Sequence, residues 1–103
     1  MKKVKTVVAL SDVAQDLNKG KEFYDLKGPG VGDYFWDSLM ADIKSLIIFS
    51  GIHVIKNGYY RMSAKRFPYS IYYTVDKEVA YVIAVLPMRK DPLWIKDQLN
   101  ERM

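Results

Sequence analysis

The run from Lys65 to Trp94, KRFPYSIYYTVDKEVAYVIAVLPMRKDPLW, constrains the fold more than any other part of the chain. Two segments, Tyr69 to Val75 and Val79 to Leu86, are rich in the β-branched and aromatic residues that fit a pleated surface. The polar break Asp76-Lys77-Glu78 joins them, so the pattern predicts a β-hairpin. The second segment is almost wholly apolar, as expected of a strand central in a sheet and covered on both faces. Lys65 and Arg66 precede the hairpin and Arg89 and Lys90 follow it, which places a positive rim at its open end.

The rest of the chain supplies what such a hairpin must pack against. Val4 to Leu10 reads as a first strand, with Ser11 as N-cap of a helix whose stripe is Val13, Leu17, Gly20 and Tyr24. Gly28-Pro29-Gly30 breaks that helix, Asp33 caps a second, and Trp36, Leu39, Ile43 and Leu46 fall on its inner side before Gly51 stops it. From His53 the pattern alternates. Lys56-Asn57-Gly58 reads as a bend, and Tyr59 to Lys65 as a strand with Arg61 and Lys65 on one face and Tyr60 and Met62 on the other. A tight Arg66-Phe67-Pro68 connection would set Arg61 beside Tyr73 and Tyr73 beside Tyr81, a transverse Arg-Tyr-Tyr row. Asp91 to Met103 reads as a short final helix or tail. The expected architecture is α+β: a small antiparallel sheet packed on two N-terminal helices, in the order β-α-α-β-β-β, forming one domain over residues 1–103. Two helices cover one face, so the other calls for a partner helix or a second copy of the chain.

Composition narrows the chemistry. The chain has no cysteine and one histidine, which removes disulfides and thiolate catalysis and leaves His53 a surface or capping role. KGPGVGD lacks the Gly-Lys-Ser/Thr ending of a phosphate-binding loop, and no spacing of His, Asp or Glu suggests a metal. The expectation is therefore no cofactor and no metal. Neither MKKVKTVVAL nor the window Leu46 to Ile52 is long enough to span a membrane, which predicts a cytoplasmic protein. The net charge of +4 is uneven: seven lysines balance seven carboxylates through Ile52, whereas nine cations stand against five acids beyond it. Such asymmetry points to a polyanionic partner or to a solvated basic face.

The candidate site is thus a set of cations, Lys56, Arg61, Lys65, Arg66, Arg89 and Lys90, interleaved with Tyr59, Tyr60, Tyr72, Tyr73 and Tyr81. Guanidinium groups grip phosphate bidentately and stabilise charge developing at phosphorus, and aromatic rings stack splayed bases. The structural alternative is that Arg61 pairs with a core-edge carboxylate and Arg89 with Asp91.

Arg66, Phe67, Pro68 and Tyr69, then Ile71 and Tyr73, then Val85, Leu86, Arg89, Asp91, Pro92 and Trp94 form a pattern that resembles the RelE/ParE superfamily, the plasmid-stabilisation toxins of bacterial type II toxin-antitoxin modules. The resemblance implies an antitoxin partner laid over the sheet and rim, and a homodimer or a toxin-antitoxin heterotetramer. It implies one of two actions, ribosome-dependent mRNA cleavage or non-nucleolytic poisoning of DNA gyrase; a non-toxic binding module retaining the fold is the third possibility. For cleavage it implies Arg61, Arg89 and Lys65 as catalytic residues, with Lys56, Arg66, Lys90, Tyr73 and Tyr81 binding RNA or another polyanion. Where many relatives carry a histidine before the basic pair, this chain has Pro87-Met88, a departure that suits the ParE branch.

Overall fold

A computed structural model describes Val4 to Arg102; Met1 to Lys3 and Met103, at the two ends of the expected domain and tail, lie outside the described residues. In chain order the elements are β1 (Thr6–Ala9), α1 (Ser11–Asp25), α2 (Val31–Lys44), the single turn α3 (Leu46–Phe49), β2 (Val54–Lys56), β3 (Tyr59–Ser63), β4 (Tyr69–Asp76), β5 (Val79–Pro87) and α4 (Pro92–Asn100). The sheet order is β1-β5-β4-β3-β2. The four later strands form an antiparallel meander, and β1 joins it parallel to β5, with the α1–α2 hairpin as the crossover. The α+β class and the central hairpin stand as read from the sequence. The short edge strand β2 is an addition, and Asn57-Gly58, with φ of 55° and 84°, turns it into β3 as a type I′ hairpin requires.

Both helix caps differ from expectation. Leu10 is the N-cap of α1 and Ser11 is already helical. α2 starts at Val31, and Asp25 takes the capping role by accepting from the Gly32 amide at 3.0 Å. Asp33, inside the first turn, pairs instead with Lys21 at 3.4 Å. The helices approach closely because Gly20 has no Cβ; one placed there would lie 2.4 Å from the Phe35 ring, which is itself wholly buried. Val13, Leu17, Phe35, Leu39, Tyr73 and Val82 fill the space between this hairpin and the sheet.

The β4–β5 part of the opposite face is covered by the chain's own α4, where the sequence pattern called for a partner helix or a second copy. Ile95 and Leu99 of α4 pack on Tyr72, Ile83, Ala84 and Leu86. Burying two such side chains contributes roughly 1.5–3 kcal/mol each. Asp91 caps α4 by accepting from the Leu93 amide at 2.8 Å, and Pro92 fits the first turn, where no amide donor is needed. At its far end Arg102 reaches back across the fold. Its two terminal nitrogens lie 2.5 and 2.8 Å from the Asp16 carboxylate, which also accepts from the Val85 amide at 2.9 Å. This ion pair ties α4 to α1 and to the open edge of β5. No helix among the described residues is long and apolar enough to cross a membrane.

The expected Arg61-Tyr73-Tyr81 row does not form. Arg61 pairs with Tyr72, and Tyr72 with Ala84; Tyr73 lies opposite Tyr60 and Val82, and Tyr81 opposite Thr74. The β3–β4 connection is longer than a tight turn: Ser63 pairs with Ser70, and a bulge between Tyr72 and Tyr73 shifts the register against β5. A slip of one residue moves each side chain to the other face. Tyr73 is accordingly wholly buried, stacked on Tyr60 with ring centroids 5.1 Å apart.

Candidate anion-binding site

Alternation along β3 turns Arg61 toward the α4 face of the sheet, and its neighbours on that face follow from the register. Lys56 of β2 and Ser70 and Tyr72 of β4 lie around it, with Lys90 from the loop after β5 and Lys96 from α4. Together they line a cavity of about 260 Å³, walled on its apolar side by Met88, Pro92 and Ile95. Among the described residues its lining holds four cations, Lys56, Arg61, Lys90 and Lys96, and no carboxylate.

Arg61 carries the strain of this arrangement. Its Nε is buried without a hydrogen-bond partner, and among the described residues the guanidinium pairs with no carboxylate. An uncompensated buried donor costs about 1–3 kcal/mol, more when charged, so the core-edge pairing considered for Arg61 is absent where it would be most stabilising. Burial pushes the Tyr72 hydroxyl above its ordinary value, while the adjacent Arg61 charge opposes that push. Tyr72 therefore remains protonated at neutral pH and faces the cavity as a hydrogen-bond donor.

The remaining predicted residues are dispersed. Arg89 does not join Arg61; it lines a second, larger trough of about 560 Å³ between α1 and α4, together with Lys19 and Trp94. Its charge opposes the upward push that burial gives the Tyr24 hydroxyl. Asp91, proposed as its partner, is engaged in capping α4. Lys90 lines both cavities, its ammonium 5.2 Å from the centre of the Trp94 ring. Lys65 and Arg66 are exposed in the β3–β4 connection, and it is the Lys65 backbone amide, donating to Asp42 at 3.1 Å, that fixes this loop. Tyr81 is half-buried beside the α4 cluster, and Tyr73 belongs to the core. The Tyr73 hydroxyl accepts from the Gly51 amide at 2.9 Å and meets His53 Nδ1 at 2.5 Å. His53 is thus tied into the connection before β2, and burial lowers its pKa.

Lys96 and Ser70 escaped sequence reasoning as members of this constellation. Ser70 is recoverable from period-two alternation once the β3–β4 register is known; Lys96 becomes visible only when α4 is docked across the sheet.

A five-stranded sheet with a helical hairpin on one face and a short C-terminal helix on the other defines a RelE/ParE-like fold. No protein-family model matches the sequence, and no curated protein matches it. Among solved structures, a chain of the "Chromosomal ParDE TA system from P. aeruginosa" superposes with a TM-score of 0.74 at 15% sequence identity, over 85% of this chain and 100% of that one.

Proposed function

We propose that this chain is the toxin subunit of a toxin-antitoxin module, and that it arrests growth in the cytoplasm by engaging a nucleic-acid phosphate through the cavity around Arg61. The observation that carries the reading is a half-buried arginine, its Nε buried without a hydrogen-bond partner, beside a cavity whose lining, among the described residues, holds four cations and no carboxylate. Cations held apart from carboxylates repel one another, and a phosphate oxygen relieves both that repulsion and the orphaned donor.

The mode of action is binding rather than cleavage. Attack by a 2′-hydroxyl calls for a base that titrates near neutrality. The cavity is lined by lysine, arginine, tyrosine, serine, asparagine and apolar side chains, and its tyrosine is shifted further from neutrality. The target is then DNA gyrase on DNA, as for ParE, and the partner an acidic antitoxin. A second reading, ribosome-dependent mRNA cleavage, is favoured by the convergence of Arg61, Lys56 and Lys96 around Tyr72, a set suited to stabilising charge at phosphorus.

The test runs purified protein and its Arg61→Ala variant in a gyrase supercoiling and DNA-cleavage assay, beside cell-free translation with primer extension of the mRNA. Arg61-dependent loss of supercoiling with intact mRNA is the expected result. Ribosome-dependent mRNA 5′ ends that vanish in the variant would establish the second reading, and no effect in either assay would leave a non-toxic binding module.

A further inference from the structure

We infer that β2 is the edge through which two copies of this chain pair across a two-fold axis into one ten-stranded sheet, setting their Arg61 cavities side by side on the same face. The pairing rests on geometry; what the joined cavities bind rests on the phosphate reading of Arg61. The surface is the sheet's edge, distinct from the face that α4 covers. From Ile47 to Ile55, six of nine residues are large apolar side chains left exposed, Val54 and Ile55 by 63% and 67%. Edge strands are ordinarily guarded by proline, a bulge or several charges. β2 has neither proline nor bulge, and between Ile47 and Gly58 Lys56 is the only lysine, arginine or carboxylate.

The backbone fixes which residue meets which. In a two-residue hairpin, hydrogen-bonded pairs alternate outward from the turn, so Lys56 and Val54 direct their main-chain groups to Tyr59 and Arg61. The amide and carbonyl of Ile55 then point away from the sheet, and no strand lies beyond them among the described residues. An antiparallel pair centred on Ile55 lets the two Ile55 residues exchange both hydrogen bonds. The same axis sets Val54 opposite Lys56 of the second copy, so the lysine stem lies along valine and no lysine faces a lysine. An acidic partner strand fits less well, because it meets a single cation in an apolar edge. Three residues a side bury less than the roughly 800 Å² per partner of a standard interface, so the dimer forms in the micromolar range.

The consequence falls on Arg61. Val54 is its partner on β2 and shares its face, so Lys56 of the second copy stands two strands away on the cavity side of the sheet. Strands about 4.8 Å apart and residues about 3.3 Å apart put the two Arg61 backbones roughly 16 Å from each other, with both cavities opening the same way. A duplex carries a charge about every 1.7 Å along its axis, so one duplex supplies both cavities. At low salt the two cation clusters repel over this range. A shared polyanion removes the repulsion, and nucleic acid and dimerisation then reinforce each other.

The experiment is sedimentation equilibrium of the full chain across roughly 1–500 µM, where the wild type is expected to pass from monomer to dimer. Ile55→Lys and Ile55→Glu, changes at an exposed position whose melting temperatures should match the parent, each weaken association at least about tenfold, because like charges then meet on the axis. An equimolar mixture of the two variants restores a dimer of one copy each. A duplex of about 20 base pairs strengthens the wild-type dimer at least about threefold at low salt, and this gain is lost in Arg61→Ala. A chain monomeric throughout the range, a dimer that Ile55→Lys leaves intact, a mixture that stays monomeric, or association growing beyond two copies would overturn the proposal. A dimer that duplex DNA leaves unchanged retains the pairing and counts against the phosphate reading, on which only the duplex arm rests. Growth arrest on expression is scored separately: arrest by a chain that stays monomeric sinks this inference and leaves the toxin reading, and a dimer of a chain that arrests nothing does the reverse.

Discussion

Replacing Arg102 with alanine removes one half of a buried ion pair whose side chains are only 10% and 6% exposed. Asp16 keeps the Val85 amide but loses both guanidinium hydrogen bonds, and Arg102 also donates to the Ile83 carbonyl at 3.3 Å. Breaking a buried pair this way costs about 3–5 kcal/mol, against a total of roughly 5–15 kcal/mol for a domain of this size. Fraying of α4 lets water reach Asp16, which moves the expected loss to the lower end, about 3 kcal/mol, or a fall of at least roughly 12 °C in melting temperature. Urea denaturation followed by circular dichroism measures the loss, and amide exchange should show α4 opening first. The Asp16→Leu/Arg102→Met double variant leaves the Val85 donor unsatisfied and should cost only about 1–3 kcal/mol, less than or equal to the single change. A loss below about 1 kcal/mol in Arg102→Ala, or a double variant that loses the sum of both single changes, would refute the reasoning.

Three further outcomes follow from the same geometry. Gly20→Ala drives a methyl group into the buried Phe35 ring between α1 and α2 and should cost about 1–3 kcal/mol by thermal melt, despite the higher helix propensity of alanine. Tyr73→Phe removes the acceptor for the Gly51 amide and the hydroxyl hydrogen-bonded to His53 Nδ1, for a loss of about 1–2 kcal/mol in urea. Burial holds the folded-state His53 pKa below its ordinary value of 6.5, so the unfolded chain takes up this proton first. The stability His53 contributes is complete above that value and is lost as pH falls through and below it; in His53→Phe this part of the pH dependence of the melting temperature should vanish.

The central hairpin was legible because its two strands announce themselves in composition, Tyr69 to Asp76 and Val79 to Pro87 being β-branched or aromatic for most of their length. So was the division of β3 into an Arg61 face and a Met62 face, which needs only a period of two. What failed was the pairing between strands. The six-residue path from Ser63 to Ser70 and the bulge at Tyr72/Tyr73 decide whether Tyr72 or Tyr73 meets Arg61, and neither leaves a local signature. The ends of the first two helices were misplaced for a related reason: Asp25, seven residues before Gly32, does the capping expected of Asp33. The cover of the second face was hidden because its tether joins Asp16 to Arg102, residues 86 apart in sequence. With α4 undocked, Lys96 reads as one more solvated lysine, and the separation of Arg89 from Arg61 into different cavities could not be foreseen.

The proposed role of Arg61, function at a cost in stability, is measured most directly by growth of a bacterial culture on induction of the wild-type chain and of Arg61→Leu at matched soluble levels. Removing a cation with an orphaned Nε from beside three lysines should leave the variant's stability unchanged or higher by up to about 1–2 kcal/mol, because that donor and the like-charge repulsion disappear with it. The predicted result is arrest by the wild-type chain and full growth with a variant that melts no lower. Equal arrest by both chains, or a variant that unfolds well below the wild type, would contradict the claim.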